Sequence, residues 1–138
     1  MTEHTKISFN HRRIREINDV TDLVAMLFPG NRNQQHTAAR ILMALRAQTE
    51  PLPSLSGIEA RHGVTRRTLQ RTRAKLARLG LIEHISGLSC RYAGAHGWRL
   101  SGRMSTALRQ LAERIDAWRY EHRHERIAKE EVLVNLIR

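Results

Sequence analysis

The chain has 138 residues, with 24 Lys or Arg against 13 Asp or Glu, and its formal net charge at pH 7 is +11. The length fits one domain with an appended segment, and an apolar fraction of 41% is ordinary for a soluble protein. No apolar run approaches the roughly 20 residues that span a bilayer, and the first residues lack the apolar stretch of a signal peptide, so we expect no membrane partner. Cys90 is the only cysteine, which excludes an intrachain disulfide and fits a reducing cytoplasm.

Two amphipathic helices are predicted in the first third of the chain. The first has Asn18 or Asp19 as its N-cap and is ended by Pro29-Gly30. Its apolar residues recur at i, i+3, i+4, i+7 and i+8, the spacing of one helical face: Val20, Leu23, Val24, Leu27 and Phe28. The second is predicted over about residues 34–48, and the two prolines at 51 and 53 then predict a short linker.

Downstream of the linker, the sequence SGIEARHGVTRRTLQRTRAKLARLGLIEHI has the pattern of two short helices and a strand. Ser56 is predicted to cap the first helix, with Glu59 completing a capping box. Gly63 is predicted to end that helix in the left-handed conformation, and Thr65 to begin the next one. Gly80 follows the second helix as its closing glycine. This order predicts a helix-turn-helix, in which the second helix is the recognition helix.

Positive charge is concentrated in the same part of the chain. Residues 61–102 contain nine basic residues and one acidic residue, so 9 − 1 = +8 of the total charge of +11 lies there. Such a concentration is the electrostatic footprint expected of a nucleic-acid-binding surface. The basic residues are Arg61, Arg66, Arg67, Arg71, Arg73, Lys75, Arg78, Arg91 and Arg99.

The recognition helix is predicted to have a buried and an exposed side. Leu69, Leu76 and Leu79 mark the buried side, and Arg73 is expected to extend its stem outward. Arginine can pair with two acceptors of guanine and glutamine with adenine, while the helix N-terminus offers free N–H groups to a phosphate. The residues predicted to contact DNA are Thr65, Arg66, Arg67, Thr68, Gln70, Arg71 and Lys75.

Two strands are predicted after this helix, over residues 81–85 and 98–100, and the glycine-containing loop between them completes a wing. The whole of residues 34–102 resembles the winged helix-turn-helix regulators of bacteria and archaea. The resemblance implies duplex DNA as the partner, and it implies that Arg91 in the wing approaches the minor groove or a phosphate. Residues 1–17 are polar, and their arginines allow two interpretations, an arm that reaches DNA or a frayed terminus.

One long helix is predicted from Arg103 onward. Its apolar residues alternate in steps of four and three, the spacing of a coiled-coil seam: Met104, Leu108, Leu111, Ile115 and Trp118. Residues 119–126 are polar and are expected to be an exposed or bent piece of helix, and a second apolar cluster lies at 132–137. Many winged-helix regulators pair through such a helix, and the alternative is that it folds back on its own domain.

The sequence therefore predicts a mainly α protein, a winged helix-turn-helix with a two-stranded wing and a long C-terminal dimerisation helix. The predicted divisions are an N-terminal arm and helix (1–33), the DNA-binding domain (34–102) and a helical dimerisation segment (103–138). We expect a cytoplasmic, homodimeric transcription regulator that binds double-stranded DNA. The alternatives are a plasmid or viral partition or replication protein and a winged-helix protein-interaction module. No phosphate-cradling glycine loop, nucleophile elbow or zinc-like spacing occurs, so no enzyme activity, catalytic residue, cofactor or metal is predicted.

Overall fold

The structure, a computed structural model, describes residue 7, residues 9–86 and residues 96–138. This part of the chain is mainly helical, with seven helices and a small two-stranded antiparallel sheet. In chain order the elements are α1 (His11–Arg15), α2 (Val20–Leu27), α3 (Arg32–Arg46), α4 (Gly57–His62), α5 (Arg66–Leu79), β1 (Ile82–Ile85), β2 (Gly97–Leu100), α6 (Arg103–Arg119) and α7 (His124–Leu136). The chain divides into two units, Met1–Gly102 and Arg103–Arg138.

Side-chain caps begin the helices near the N-terminus. Asp19 caps α2, because its Oδ1 accepts hydrogen bonds from the backbone N–H groups of Thr21 at 2.9 Å and of Asp22 at 3.1 Å. Asn31 caps α3 by accepting a hydrogen bond from the backbone N–H of Gln34 at 3.0 Å. Both predicted helices are confirmed. The short helix α1, which has no buried residue, lies in a segment where the sequence predicts none.

A three-residue turn, 63–65, joins α4 to α5. Gly63 has φ +63°, the predicted left-handed conformation, and none of the described atoms lies within 4 Å of where its Cβ would stand. Backbone torsion, not space, therefore favours glycine there. Thr65 caps α5 as predicted, since its Oγ1 accepts a hydrogen bond from the backbone N–H of Thr68 at 3.2 Å. The predicted capping box at Ser56 is wrong, because Ser56 already has a helical backbone (φ −60°, ψ −27°) and its side chain makes no capping hydrogen bond.

The two strands pair antiparallel, with Ile82 opposite Leu100 and Ile85 opposite Gly97. Leu52 extends the sheet beside β2, because it exchanges two backbone hydrogen bonds of 2.8 Å with Trp98. The segment predicted as a linker thus contributes one residue of sheet. Gly97 has φ +127°, and a Cβ there would overlap the Leu52 carbonyl. This close approach requires glycine.

The core of the first unit lies where α3 packs against α2 and α5, with β1 against α5. Among the described residues, thirteen apolar side chains are buried in this unit, namely Val24, Leu27, Phe28, Ala38, Ile41, Leu42, Leu45, Leu55, Ile58, Leu69, Leu76, Ile82 and Ile85. The predicted apolar side of α5 is thus confirmed at Leu69 and Leu76, while Leu79 is half-buried. As a result, α5 is fixed with its opposite side exposed.

The second unit consists of α6 and α7, and the predicted continuity of one long helix is wrong. Between the two helices, the Glu121 carboxylate accepts hydrogen bonds from the backbone N–H of Arg123 at 2.9 Å and from the Arg123 guanidinium at 3.0 Å. These bonds lower the pKa of the Glu121 carboxyl to about 2, the guanidinium making the largest contribution. No residue of either helix is buried within this chain. Among the described helices, none has the combined length and apolar character needed to cross a membrane.

Candidate nucleic-acid interface

The exposed side of α5 carries polar and basic side chains along its whole length. Arg66, Arg67, Gln70 and Arg71, four of the predicted contact residues, are exposed in its first two turns. None of the four makes a side-chain hydrogen bond or an ion pair with another residue of the described ranges. Ala74 is exposed further along this side and leaves a small gap between the longer side chains.

The N-terminus of α5 combines positive charge with free backbone donors. Arg66 and Arg67 occupy its first turn, which contains no acidic residue. Unpaired N–H groups and the helix dipole already make this end positive, so two arginines there lower the stability of the helix. An anion bound at this end would interact favourably with both arginines and with the helix dipole.

The two predicted threonine contacts are engaged within the chain. Thr65 Oγ1 accepts the hydrogen bond that caps α5 and also donates to Thr68 Oγ1 at 2.9 Å. Thr68 is half-buried beside it. Both hydroxyls therefore hold the start of α5 in place before any ligand arrives.

The placement of Lys75 on the exposed side of α5 is a wrong prediction. Its Nζ donates a hydrogen bond of 2.6 Å to the backbone carbonyl of Leu27 and lies 4.4 Å from the centre of the Phe28 ring. Burial, with a smaller contribution from Arg78, lowers the pKa of the ammonium. Position 75 lies only about 40° around the helix from Arg71, but its side chain extends toward the C-terminal end of α2.

Arg73 also belongs to the site, a role that was not predicted from the sequence. Its guanidinium lies over the Trp98 ring, 5.0 Å from the ring centre. The His84 ring meets the same Trp98 ring edge-on, with the two ring centres 5.0 Å apart. Arg66, Gln70 and Arg73 line one side of an open groove of about 410 Å³, with Trp98 also among its lining residues. The seven-residue interval between Arg66 and Arg73 is two helical turns and was the available signal.

The basic residues near the sheet contribute less free charge than the sequence implies. Arg99 Nε forms an ion pair with Glu83 Oε1 at 3.2 Å across the two strands. Arg91, the predicted wing contact, lies outside the described residues. Among the residues that the structure describes, the exposed charge of the site comes chiefly from α5, where Arg78 is also exposed.

The predicted dimer residues lie on α6, in the second unit. Leu111 is 53% exposed and Trp118 is 64% exposed, while Leu108 and Ile115 are also exposed and Met104 is half-buried. Trp118 Nε1 donates a hydrogen bond of 2.8 Å to Glu130 Oε2, which ties α6 to α7. The α6 stripe is thus present and open to solvent in the single chain.

Comparisons with protein-family models, with curated proteins and with solved structures found no match to this chain.

Proposed function

We propose that the chain is a winged helix-turn-helix protein that binds duplex DNA through α5 and acts as a homodimeric transcription regulator. The observation that carries the proposal is the pair Arg66 and Arg67 at the positive end of α5, with no carboxylate in that turn. This arrangement lowers the stability of the free helix and is relieved by a bound phosphate. The three-residue turn containing Gly63 supports the helix-turn-helix, and the β1–β2 pair supports the wing.

In this mechanism the first two turns of α5 enter the major groove. Arg67 and Arg71 are long enough to present paired donors to guanine, and Gln70 offers a donor and an acceptor to adenine. Arg66 and the N–H groups of the first turn hold a phosphate at the groove edge. The buried contacts of Leu69 and Leu76 set the rotation of α5 about its axis and hence the direction of these side chains.

The homodimer is proposed from the exposed apolar surface of the second unit. Four large side chains of the α6 stripe and six of α7 and its end are exposed, and neither helix has a residue buried by this chain. Removing each such side chain from water is worth roughly 1.5–3 kcal/mol, so burial of about half of them can offset the roughly 4–15 kcal/mol cost of association. A second copy supplies the same surface, and its α5 would read a half-site one helical turn away.

The test is a titration of random-sequence duplex DNA at several salt concentrations between about 50 and 200 mM. We expect affinity to fall steeply with salt, because cations released from the phosphates return to them. The triple variant Arg66→Ala/Arg67→Ala/Arg71→Ala should lose about 1–3 kcal/mol of binding free energy for each arginine that reads a base.

The matched control is Arg12→Ala/Arg13→Ala/Arg15→Ala in α1, which removes the same charge elsewhere in the first unit. It also tests whether the N-terminal segment acts as a DNA-binding arm. If the α5 triple variant folds normally and binds duplex DNA as tightly as the parent, the proposed interface is wrong. Parent protein that prefers an acidic polypeptide to duplex DNA would instead favour the protein-interaction module.

A further inference from the structure

Two histidines and two arginines lie close together on α3 and α4. The imidazole rings of His36 and His62 meet edge-on with their centres 6.5 Å apart. Arg40 Nε donates a hydrogen bond to His36 Nε2 at 3.4 Å. Arg61 precedes His62 on α4 and is exposed. These four residues form the α3–α4 cation cluster.

The cluster contains no acidic side chain. Among the described residues, no ion pair or side-chain hydrogen bond connects its members to a carboxylate. Burial lowers the pKa of His62, and the charges of Arg40, Arg61 and His36 lower it further. Positive charge is thus gathered at one place without an internal counter-ion.

Helix stability explains only part of this arrangement. Arg61 and His62 occupy the last turn of α4, where positive charge interacts favourably with the helix dipole. His36 lies in the N-terminal half of α3 and Arg40 lies near its middle, so neither gains the stabilisation that a cation has in the last turn of a helix. Their position beside His62 raises the electrostatic cost of protonating His62. An anion bound between the helices would offset this repulsion.

We propose that the α3–α4 cation cluster binds one backbone phosphate of duplex DNA, as a contact separate from α5. The inference rests on the proposed function. His62 is three residues before Thr65, the cap of α5, so their Cα atoms are at most about 11 Å apart. The major groove is about 12 Å wide, which brings a phosphate on the groove edge within reach when α5 lies inside it.

The chemistry of the cluster suits a phosphate more than a base. Arg40 and Arg61 supply planar forks of N–H donors, and the two imidazoles become additional donors when protonated. A bound phosphate favours those protonated forms. Because the pKa of His62 lies below its ordinary value of 6.5, the cluster makes DNA binding tighter mainly as the pH falls below about 6.5.

The experiment compares Arg61→Gln with Arg46→Gln, which removes the same charge from the exposed end of α3. We use random duplex DNA and measure the slope of log affinity against log salt concentration. Arg61→Gln should lower that slope by about 1 and weaken binding about fivefold at physiological salt, as expected for one lost phosphate contact. Arg46→Gln should leave the slope unchanged. Arg61 is exposed, so its replacement preserves folding, which thermal unfolding checks.

A second comparison uses the pH dependence of the affinity. His36→Gln/His62→Gln should flatten it, whereas His122→Gln/His124→Gln, which removes two exposed histidines of the second unit, should retain it. Equal salt slopes in the parent and Arg61→Gln, with parental pH dependence in the His36/His62 variant, would overturn the inference. If the α5 triple variant still loses binding in that case, only the phosphate contact is wrong. Parent protein that binds no duplex DNA would overturn the proposed function and this inference together.

Discussion

Lys75 donates a 2.6 Å hydrogen bond to the backbone carbonyl of Leu27, 48 residues earlier in the chain. Leu27 is the last residue of α2, and helix ends leave such carbonyls without intrahelical partners. An ammonium is favourable there because the C-terminal end of a helix dipole is negative. Lys75 therefore caps α2 from a distance and fixes α5 against it, although its sequence position suggests a DNA contact.

Replacing Lys75 with methionine should separate stability from DNA binding. Lys75→Met keeps an apolar stem near Phe28 but removes the ammonium, so we expect a loss of about 1–2 kcal/mol in the free energy of unfolding. Arg71→Gln, with the same change in charge, should cost little stability and about 1–3 kcal/mol of DNA binding. Urea unfolding and DNA titration of both variants check this. A larger loss of DNA affinity in folded Lys75→Met than in Arg71→Gln would contradict the assignment.

The turn between α4 and α5 should depend on the left-handed backbone at Gly63. Gly63→Val should destabilise the first unit by about 1–2 kcal/mol, because a β-branched residue is strained at φ +63°. Gly63→Asn is the matched variant, since asparagine tolerates this conformation, and it should remain close to the parent. Thermal unfolding measures both. Equal melting temperatures for the valine and asparagine variants would show that residue 63 is not held in this conformation.

Gly97 should be more sensitive than Gly63, because its replacement meets a backbone as well as an unfavourable torsion. In Gly97→Ala the new methyl group would overlap the Leu52 carbonyl, so we expect a loss on the order of 3 kcal/mol or more. Gly57→Ala, in the first turn of α4, has open space around it and should be neutral or slightly stabilising. Chemical denaturation gives both values. A stable Gly97→Ala protein would mean that residue 52 does not pair with β2.

The α6 stripe should determine assembly. Leu111→Glu/Ile115→Glu places two charges on it, and we expect a monomer that keeps its folded first unit but binds DNA far more weakly. The control Thr106→Glu/Gln110→Glu adds two carboxylates on the opposite side of α6 and should remain dimeric. Sedimentation equilibrium distinguishes them. A parent protein that is monomeric at tens of micromolar, above the range expected for such an interface, would reject the dimer.

The elements predicted correctly are those whose signals are local. Examples are the apolar stripe of α2, the Asp19 cap and the glycine at 63. Each lies within a few residues of the helix or turn that it determines, so apolar periodicity and capping residues predict that element from the sequence. The role of Lys75 depends on Leu27, which is remote in sequence, and Leu52 pairs with Trp98 as a single residue without strand periodicity. Neither contact has a local pattern.

In the C-terminal part of the chain, the helix predicted from the sequence is longer than either helix of the structure. Residues 120–123 contain neither proline nor glycine, so no strong breaker marks the end of α6. The interruption coincides with the hydrogen bonds between Glu121 and Arg123, and it lies in the polar segment 119–126 that was predicted only as an exposed or bent piece of helix. The arginines of α5 indicated the candidate site from the sequence. The orientation of the packed helix determines which of its cations are exposed to solvent.

Ala74 gives the site a capacity for change. It is exposed on α5 one turn beyond Gln70, whose side chain makes no hydrogen bond in the described parts of the chain. New side chains at these two positions would leave the contacts of Leu69 and Leu76 intact. Under the proposed function, the preferred DNA sequence can therefore diverge by single substitutions without a matching loss of fold, and a two-position library at 70 and 74 is a direct route to altered operators.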